Sequence, residues 1–558
     1  MRIRAALGIL FAASSLQAGS TIIATKAALS TASPLATKVG LEVLRDGGNA
    51  IDASVAVAFA LAVVHPQAGN IGGGGFLVYY DAETKGVWAL DFRETAPGAA
   101  TRDMYVMPDG TISSGSRTGP RAAGVPGTVA GLAAAHERFG SRPWKSLVAP
   151  SIAIAREGIT VDREMAEDLV RQREERQIDQ FPATAALFYP EGKPVAAGTR
   201  IVQDALASTL ERIAEHGAAD FYRGEIARRL IDSVRTAGGI IGDRDLRNYQ
   251  PLWRSPLQIR YRDYDIYTMP PPSGGGLVLA AALNILAGYD MKALGQETTR
   301  AVHVQAEAMR RAYIDRNRYI GDPASTRIPF TELTSAARAE RWRASIDPAR
   351  STPTVLLAPE DGPVTEGVHT THFTVIDQKG NVASVTTTIN GTFGSGFVVP
   401  GLGFFLNNEM DDFTLAPGKP NAAGLVQGAP NAIEPGKRMA SSMTPTIILR
   451  NQRPFLAMGT RGGPTIPTTI LQVFLNMIVH DQSLTDAIAA ARYHHQATPE
   501  QIYVERDRPS RELLAALNAM GHGVHPRGPI GDVHAIAIQD GRITAVADPR
   551  RGGAAGGF

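Results

Sequence analysis

Apolar positions recur along the chain at two spacings, and the order in which the spacings alternate sets the expected fold. Ala36, Val39, Leu41, Val43 and Leu44 mark a helix over 33–44, which Gly47-Gly48 ends. Residues 51–64 are apolar almost throughout, nearer a core helix than a membrane span. A run of four glycines, Gly72 to Gly75, leads into strands at 77–80 and 87–92. Helical spacing dominates 126–317, with helices over 127–139, 144–157, 163–176, 203–215, 227–237, 275–286 and 299–317. Strands return at 373–376 and 382–388 around a turn at 377–381, and again at 446–449 and 455–458. Helices follow at 469–480 and 484–491. Strands in hairpins, with helices before and after them, predict an α+β fold rather than a parallel βαβ sheet. Two stretches break the pattern. Residues 357–367 read as an exposed linker ending just before a strand, and 414–439 form a Pro-, Gly-, Ala- and Asn-rich segment. Loops of that length inside compact domains are functional or mobile.

A chain of 558 residues exceeds one simple core, since domains run to ~100–200 residues. Hydrophobic residues at 44% and charged residues at 20% are globular values and exclude a disordered or fibrous chain. Fifty-six basic against 54 acidic side chains leave a net charge of +2, too balanced for a dedicated nucleic-acid binder. Cysteine is absent, which excludes a disulfide framework, a thiol nucleophile and a cysteine-based metal site. Residues 1–18 resemble an export address: Arg2 and Arg4 precede a short apolar run, and Leu16-Gln17-Ala18 has the small residue of a cleavage site. The expectation is a signal peptide over 1–18 and a soluble chain, without a membrane span, that is periplasmic or secreted.

Most candidate motifs reduce to structural readings. No GK[ST] follows the glycine run, so a backbone-permissive turn is expected there rather than a phosphate cradle. His494-His495 and the set His522, His525, His534 lack an HExxH helix, and no metal is expected. Glu409, Asp411 and Asp412 stand outside any EF-hand spacing, which leaves an organic ammonium as an equally good partner. No GxSxG elbow is present. The linker-to-strand junction His369-Thr370 is different. A threonine hydroxyl is a weak nucleophile and needs a base beside it. If the bond before Thr370 were cut, the freed α-amine would be such a base, because it titrates near ~7.7–8.0 against ~10.4 for lysine.

From Thr370 the chain reads TTHFTVIDQKGNVASVTTTINGTFGSG, then LNNEMDDF, KRMASSMTPTI and GTRGG; upstream stand GGNAIDASVAVAFAL, GNIGGGGFLVYY and LDFRETAP. These blocks, in this order, resemble the γ-glutamyltranspeptidase family of N-terminal nucleophile hydrolases across essentially the whole chain beyond the address.

The resemblance implies a four-layer αββα sandwich and a chain that cuts itself between His369 and Thr370. The pieces would be a large-subunit segment, 19–369, and a small-subunit segment, 370–558, woven into one unit as a heterodimer. Thr370 would then attack γ-glutamyl compounds such as glutathione and pass the acyl group to water or an amino acid. By the same resemblance Thr388 supports the nucleophile, and Gly462 and Gly463 supply oxyanion donors. Arg93, Ser441 and Ser442 hold the α-carboxylate, while Asn390, Glu409 and Asp412 accept from the α-ammonium. No cofactor is implied. Two departures stand out: Ala423 replaces the aromatic gate that many bacterial members carry in the lid loop, and Arg461 and Pro464 flank the glycine pair. The competing readings are a cephalosporin acylase of the same fold, which cleaves glutaryl amides, and an exported amino-acid-binding protein without chemistry.

Overall fold

The computed structural model describes residues 19–357 and 370–558. The proposed signal peptide, most of the linker and His369 lie outside the described residues.

Fourteen strands form two seven-stranded sheets in which every neighbouring pair is antiparallel. One sheet runs, edge to edge, through Thr21–Ala24, Arg542–Ala547, Val533–Gln539, Arg453–Thr460, Thr446–Arg450, Tyr264–Thr268 and Leu257–Tyr261. The other runs through Ala554–Gly557, Ala28–Thr31, Thr370–Ile376, Val382–Thr388, Gly74–Asp81, Gly86–Phe92 and Leu252–Arg254. Phe76, Val78, Ile376, Val382, Ile447, Ala457 and Ile536 fill the space between them. Helices Pro34–Arg45, Ala50–Val64 and Thr128–Phe139 cover the outer face of the second sheet; Gly275–Leu286, Thr299–Tyr319 and Thr465–Ile478 cover that of the first. The layers are therefore αββα, as expected.

Local chemistry explains the elements that the hydrophobic pattern predicts. Asn49 caps Ala50–Val64 by accepting from the N–H groups of Ile51 and Asp52, and Asp52 returns a bond to the Asn49 N–H at 2.9 Å. The helix is apolar all round because its residues from Ala50 to Val63 are all buried. The expectation for 126–317 needs correction, because that stretch also contains the strands Leu252–Arg254, Leu257–Tyr261 and Tyr264–Thr268. Their pairing partners lie far away in sequence, Tyr264–Thr268 joining Thr446–Arg450. The glycine run is corrected too. Gly74 and Gly75 sit inside a strand, and a Cβ on Gly72, Gly73 or Gly75 would overlap a backbone carbonyl of a neighbouring segment. Close backbone approach, not turn conformation, requires glycine there.

Residues 414–439 hold one short 3₁₀ turn, Ala429–Asn431, and isolated bridges from Thr414 to Ala432 and from Arg438 to Thr95, and Asn421, Ala423, Leu425, Val426 and Gln427 are buried. No described helix is long and apolar enough to cross a membrane.

Candidate active site

Strand alternation places the candidate nucleophile. Along Thr370–Ile376, Phe373 and Val375 pack under the helices, whereas His372, Thr374 and Ile376 face between the sheets. Thr370 shares the second parity and stands opposite Thr388 in the register. Their hydroxyls are 3.4 Å apart, with Thr370 donating. Thr388 Oγ1 also accepts from the N–H of Asn390 at 2.8 Å. The next residue of that parity cannot serve as a general base. His372 Nδ1 meets Thr386 Oγ1 at 2.8 Å and Nε2 meets Thr374 Oγ1 at 2.9 Å. Burial, reinforced by the neighbouring His534, holds its pKa well below the ordinary histidine value.

Thr370 and Thr388 open onto a narrow cleft with a cavity volume of about 30 Å³, also lined by Arg93, Asn390, Asp412, Ser441, Ser442 and Gly463. About 10–15 Å³ measured in this way admits one water, so the cleft in this state has room for one or two waters. Its narrowness has a visible cause. Arg93, buried just past the strand Gly86–Phe92, reaches Glu409 Oε2 at 2.6 Å and also pairs with Asp412 Oδ2. It donates to the carbonyl of Ala440 at 3.1 Å. Both carboxylates come from one 3₁₀ turn, Glu409–Asp412. A third, Glu94, lies 3.4 Å from the same guanidinium. Burial raises Glu94 to about 7 against the pull of Arg93, and burial raises Glu409 well above the ordinary carboxylate value. Burial works against the charge of Arg93, but Glu409, Glu94 and Asp412 together raise its pKa above the ordinary value. The group holds more carboxylates than one arginine neutralises, an arrangement suited to receiving a cation.

Gly462 (φ +135°) and Gly463 (φ +50°) both adopt positive φ, where a side chain is strained. They precede the helix Thr465–Ile478, whose amino end favours negative charge. Asn390 also has positive φ, which asparagine tolerates, and its Nδ2 donates to the carbonyl of Asn408 at 3.0 Å. Ser441 Oγ accepts from the N–H of Met443 at 3.1 Å, leaving its own hydroxyl proton to point elsewhere. Ala423 lines the cleft where the resemblance expected a gate, and Gln496 Nε2 donates to its carbonyl at 3.3 Å.

All the predicted substrate and catalytic residues except His369 are described. Thr370, Thr388, Arg93, Asn390, Asp412, Ser441, Ser442 and Gly463 line one cleft. Glu409 reaches it through Arg93, and Gly462 faces the neighbouring cavity. Sequence reasoning missed Arg316 and Gln427, which also line the cleft and bond to each other at 2.5 Å. No motif marked them. Glu94 stood inside the quoted LDFRETAP block without being singled out.

The histidines scatter. His494 bonds Thr468 and Gln496, and His534 bonds Ser30 at 3.0 Å. His303, Glu307 and His522 have ligand atoms within 4.8 Å of one another. However, Glu307 is taken by Arg311 at 2.5 Å and Arg310 at 3.3 Å, and two guanidiniums repel a cation.

Two stacked antiparallel sheets between helical layers, with a threonine hydroxyl at the start of a central strand, define an N-terminal nucleophile hydrolase. Residues 36–558 match the family model described as Gamma-glutamyltranspeptidase, and the chain belongs to that family. It is 41% identical over 517 residues to a glutathione hydrolase proenzyme of Escherichia coli (strain K12), covering 92% of this chain and 89% of the relative. It is 40% identical over 561 residues to a protein of the same description from Pseudomonas aeruginosa, covering 98% and 96%. Among solved structures, a cephalosporin acylase from Bacillus halodurans superposes with a TM-score of 0.85 at 27% identity, over 97% of both chains.

Proposed function

We propose that this chain is a γ-glutamyltransferase and glutathione hydrolase that matures by cutting itself before Thr370. In maturation the Thr370 hydroxyl attacks the carbonyl of His369, the amide becomes an ester, and water hydrolyses it to free the α-amine. In turnover that amine accepts the hydroxyl proton as Oγ1 attacks the γ-carbonyl of the donor. The oxyanion is held by N–H groups at Gly462 and Gly463. The C–N bond then breaks, the leaving amine takes the proton, and a γ-glutamyl ester remains on Thr370. Water or an amino acid attacks the ester and regenerates the hydroxyl.

The observation that carries this reading is the threonine pair opening onto a cleft that contains both an arginine and surplus carboxylates. A γ-glutamyl group brings a carboxylate and an ammonium. On binding, its carboxylate replaces Glu409 and Asp412 on Arg93, with Ser441 and Ser442 beside it, and its ammonium takes the released acids together with Asn390. Each charge exchanges one partner for another, so none is left buried and unpaired. A glutaryl amide, the substrate class of the acylase reading suggested by the structural relative, lacks the ammonium and would leave the two acids without a cation. The export pattern of residues 1–18 supports a periplasmic or secreted site of action.

The test is a denaturing gel with mass spectrometry of both termini. The expected products are 19–369 and 370–558, whereas Thr370→Ala stays one chain and hydrolyses no γ-glutamyl anilide. Cleavage of that variant at the same bond would refute self-processing. Faster turnover of glutaryl than of γ-glutamyl anilide would establish the acylase reading instead.

A further inference from the structure

The helix Thr299–Tyr319 sends one charged side chain into the narrow cleft. Tyr313 and Arg316 stand three positions apart and share a face. The Tyr313 hydroxyl donates to the carbonyl of Pro464, next to Gly463, and Arg316 lines the cleft with Thr370, Ser441 and Ser442. A glycine leaves room for its stem. A Cβ on Gly274 would fall 2.8 Å from Arg316 Cγ and 3.0 Å from Nε. The N–H of Gly274 donates to the carbonyl of Ser441 at 2.7 Å. The guanidinium therefore enters the cleft beside the backbone that carries Ser441.

Arg316 is 2% exposed and has no carboxylate within salt-bridge distance among the described residues. Its partners are neutral. Nη1 donates to Gln427 Oε1 at 2.5 Å and to Asn317 Oδ1 at 3.2 Å, and Nε has no partner among the described residues. Gln427 Nε2 donates in turn to the carbonyl of Asp412 at 2.9 Å, which ties the guanidinium to the turn that carries the acids. Burial holds the Arg316 pKa below the ordinary arginine value, against Tyr313 and Asp412 and with the added pull of Arg93. A buried guanidinium among neutral acceptors is costly until an anion joins it. Arg93 is in the opposite condition, with three carboxylates around it. The cleft thus sets surplus acid and an uncompensated cation side by side. An α-amino acid group carries the complementary pair, an ammonium and a carboxylate on one carbon.

We propose that Arg316 is a second guanidinium for the α-carboxylate of the γ-glutamyl donor, held toward the cleft by Gln427. This rests on the γ-glutamyl reading of the cleft, and it adds a residue to Arg93, Ser441 and Ser442. A carboxylate has two oxygens, so it bridges Arg316 and Arg93 while Glu409 and Asp412 turn to the ammonium. Arg316 is then a specificity-determining residue, favouring donors that carry the α-carboxylate.

The test compares two donors on the matured enzyme: γ-glutamyl anilide, and 4-aminobutyryl anilide, which keeps the ammonium and the amide but lacks the α-carboxylate. Arg316→Gln should lower the ratio of kcat/KM for the first over the second by about tenfold or more, the scale of a hydrogen bond to a charged group. The loss should fall on KM, because the α-carboxylate keeps its charge through the reaction. Arg316→Lys keeps the charge but not the fork and should lower the ratio severalfold. Arg318→Gln, on the same helix but exposed and outside the cleft, should leave it unchanged. Equal losses on both donors in Arg316→Gln are what a purely structural role gives, and they overturn the proposal. Where Arg316→Gln does not mature, Arg316→Lys carries the test, and an unmoved ratio there overturns the proposal too. A parent enzyme that leaves γ-glutamyl anilide intact, or turns over both donors alike, would instead overturn the reading of the cleft.

Discussion

At the scale of single residues, Glu94 carries the most informative cost. It is fully buried and lies against Arg93, yet burial still lifts it from 4.5 to about 7. Between those values the unfolded chain has released the proton and the folded chain has not. Stability present below pH 4.5 is therefore lost as pH rises through about 7. Glu94→Gln should abolish that part of the decline. Thermal unfolding of parent and variant is expected to coincide near pH 4.5 and to separate by pH 8, the variant being more stable by on the order of a few kcal/mol. Parallel curves would mean that Glu94 ionises like an exposed carboxylate. The sequence showed which residue types meet at this site, because its blocks preserve the family's order. It did not show that Arg93 closes on Glu409 and Asp412, since ion pairing across more than 300 positions leaves no local pattern.

At the scale of elements, the inter-sheet face of Thr370–Ile376 depends on its opposite neighbour. Gly459, on the facing strand Arg453–Thr460, leaves the space that the His372 imidazole fills, and a Cβ there would overlap the ring. Gly459→Ala should cost about 1–3 kcal/mol, as overpacking in rigid cores does. It should also slow turnover, because the displaced ring bears on Thr386 and Thr374, which share the hairpin with the threonine pair. Gly528→Ala, with open space around it and no positive φ, is the control and should change neither quantity. Denaturant unfolding and steady-state rates check both. Helices with strong periodicity were legible to within a few residues; 144–157 and 163–176 match outright. Strands such as Thr21–Ala24, Ala554–Gly557 and Arg542–Ala547 were not, because short strands are defined by partners rather than by their own composition.

At the scale of the whole molecule, the proposed cut separates polypeptides but not layers. Each sheet contains strands from both sides of residue 370, and Thr370–Ile376 is flanked by Ala28–Thr31 from one side of the cut and Val382–Thr388 from the other. Fragments 19–369 and 370–558 should therefore elute together in native size exclusion and part only in denaturant. Separate elution of active material would contradict the interwoven sheets. The α+β class followed from the pattern alone, whereas the stacking order came from the resemblance, because hydrophobic spacing records which face is buried and not what buries it.

The same weave sets a clock. Thr21 pairs with Val546, and Ala28–Thr31, the strand beside the nucleophile, is flanked on its far edge by Ala554–Gly557. A chain leaving the ribosome amino end first can complete neither sheet until Arg542–Ala547 and Ala554–Gly557 have emerged. Scission at residue 370 that requires the finished sandwich must therefore wait for residues 554–557, so a product truncated before them would remain uncut and without activity.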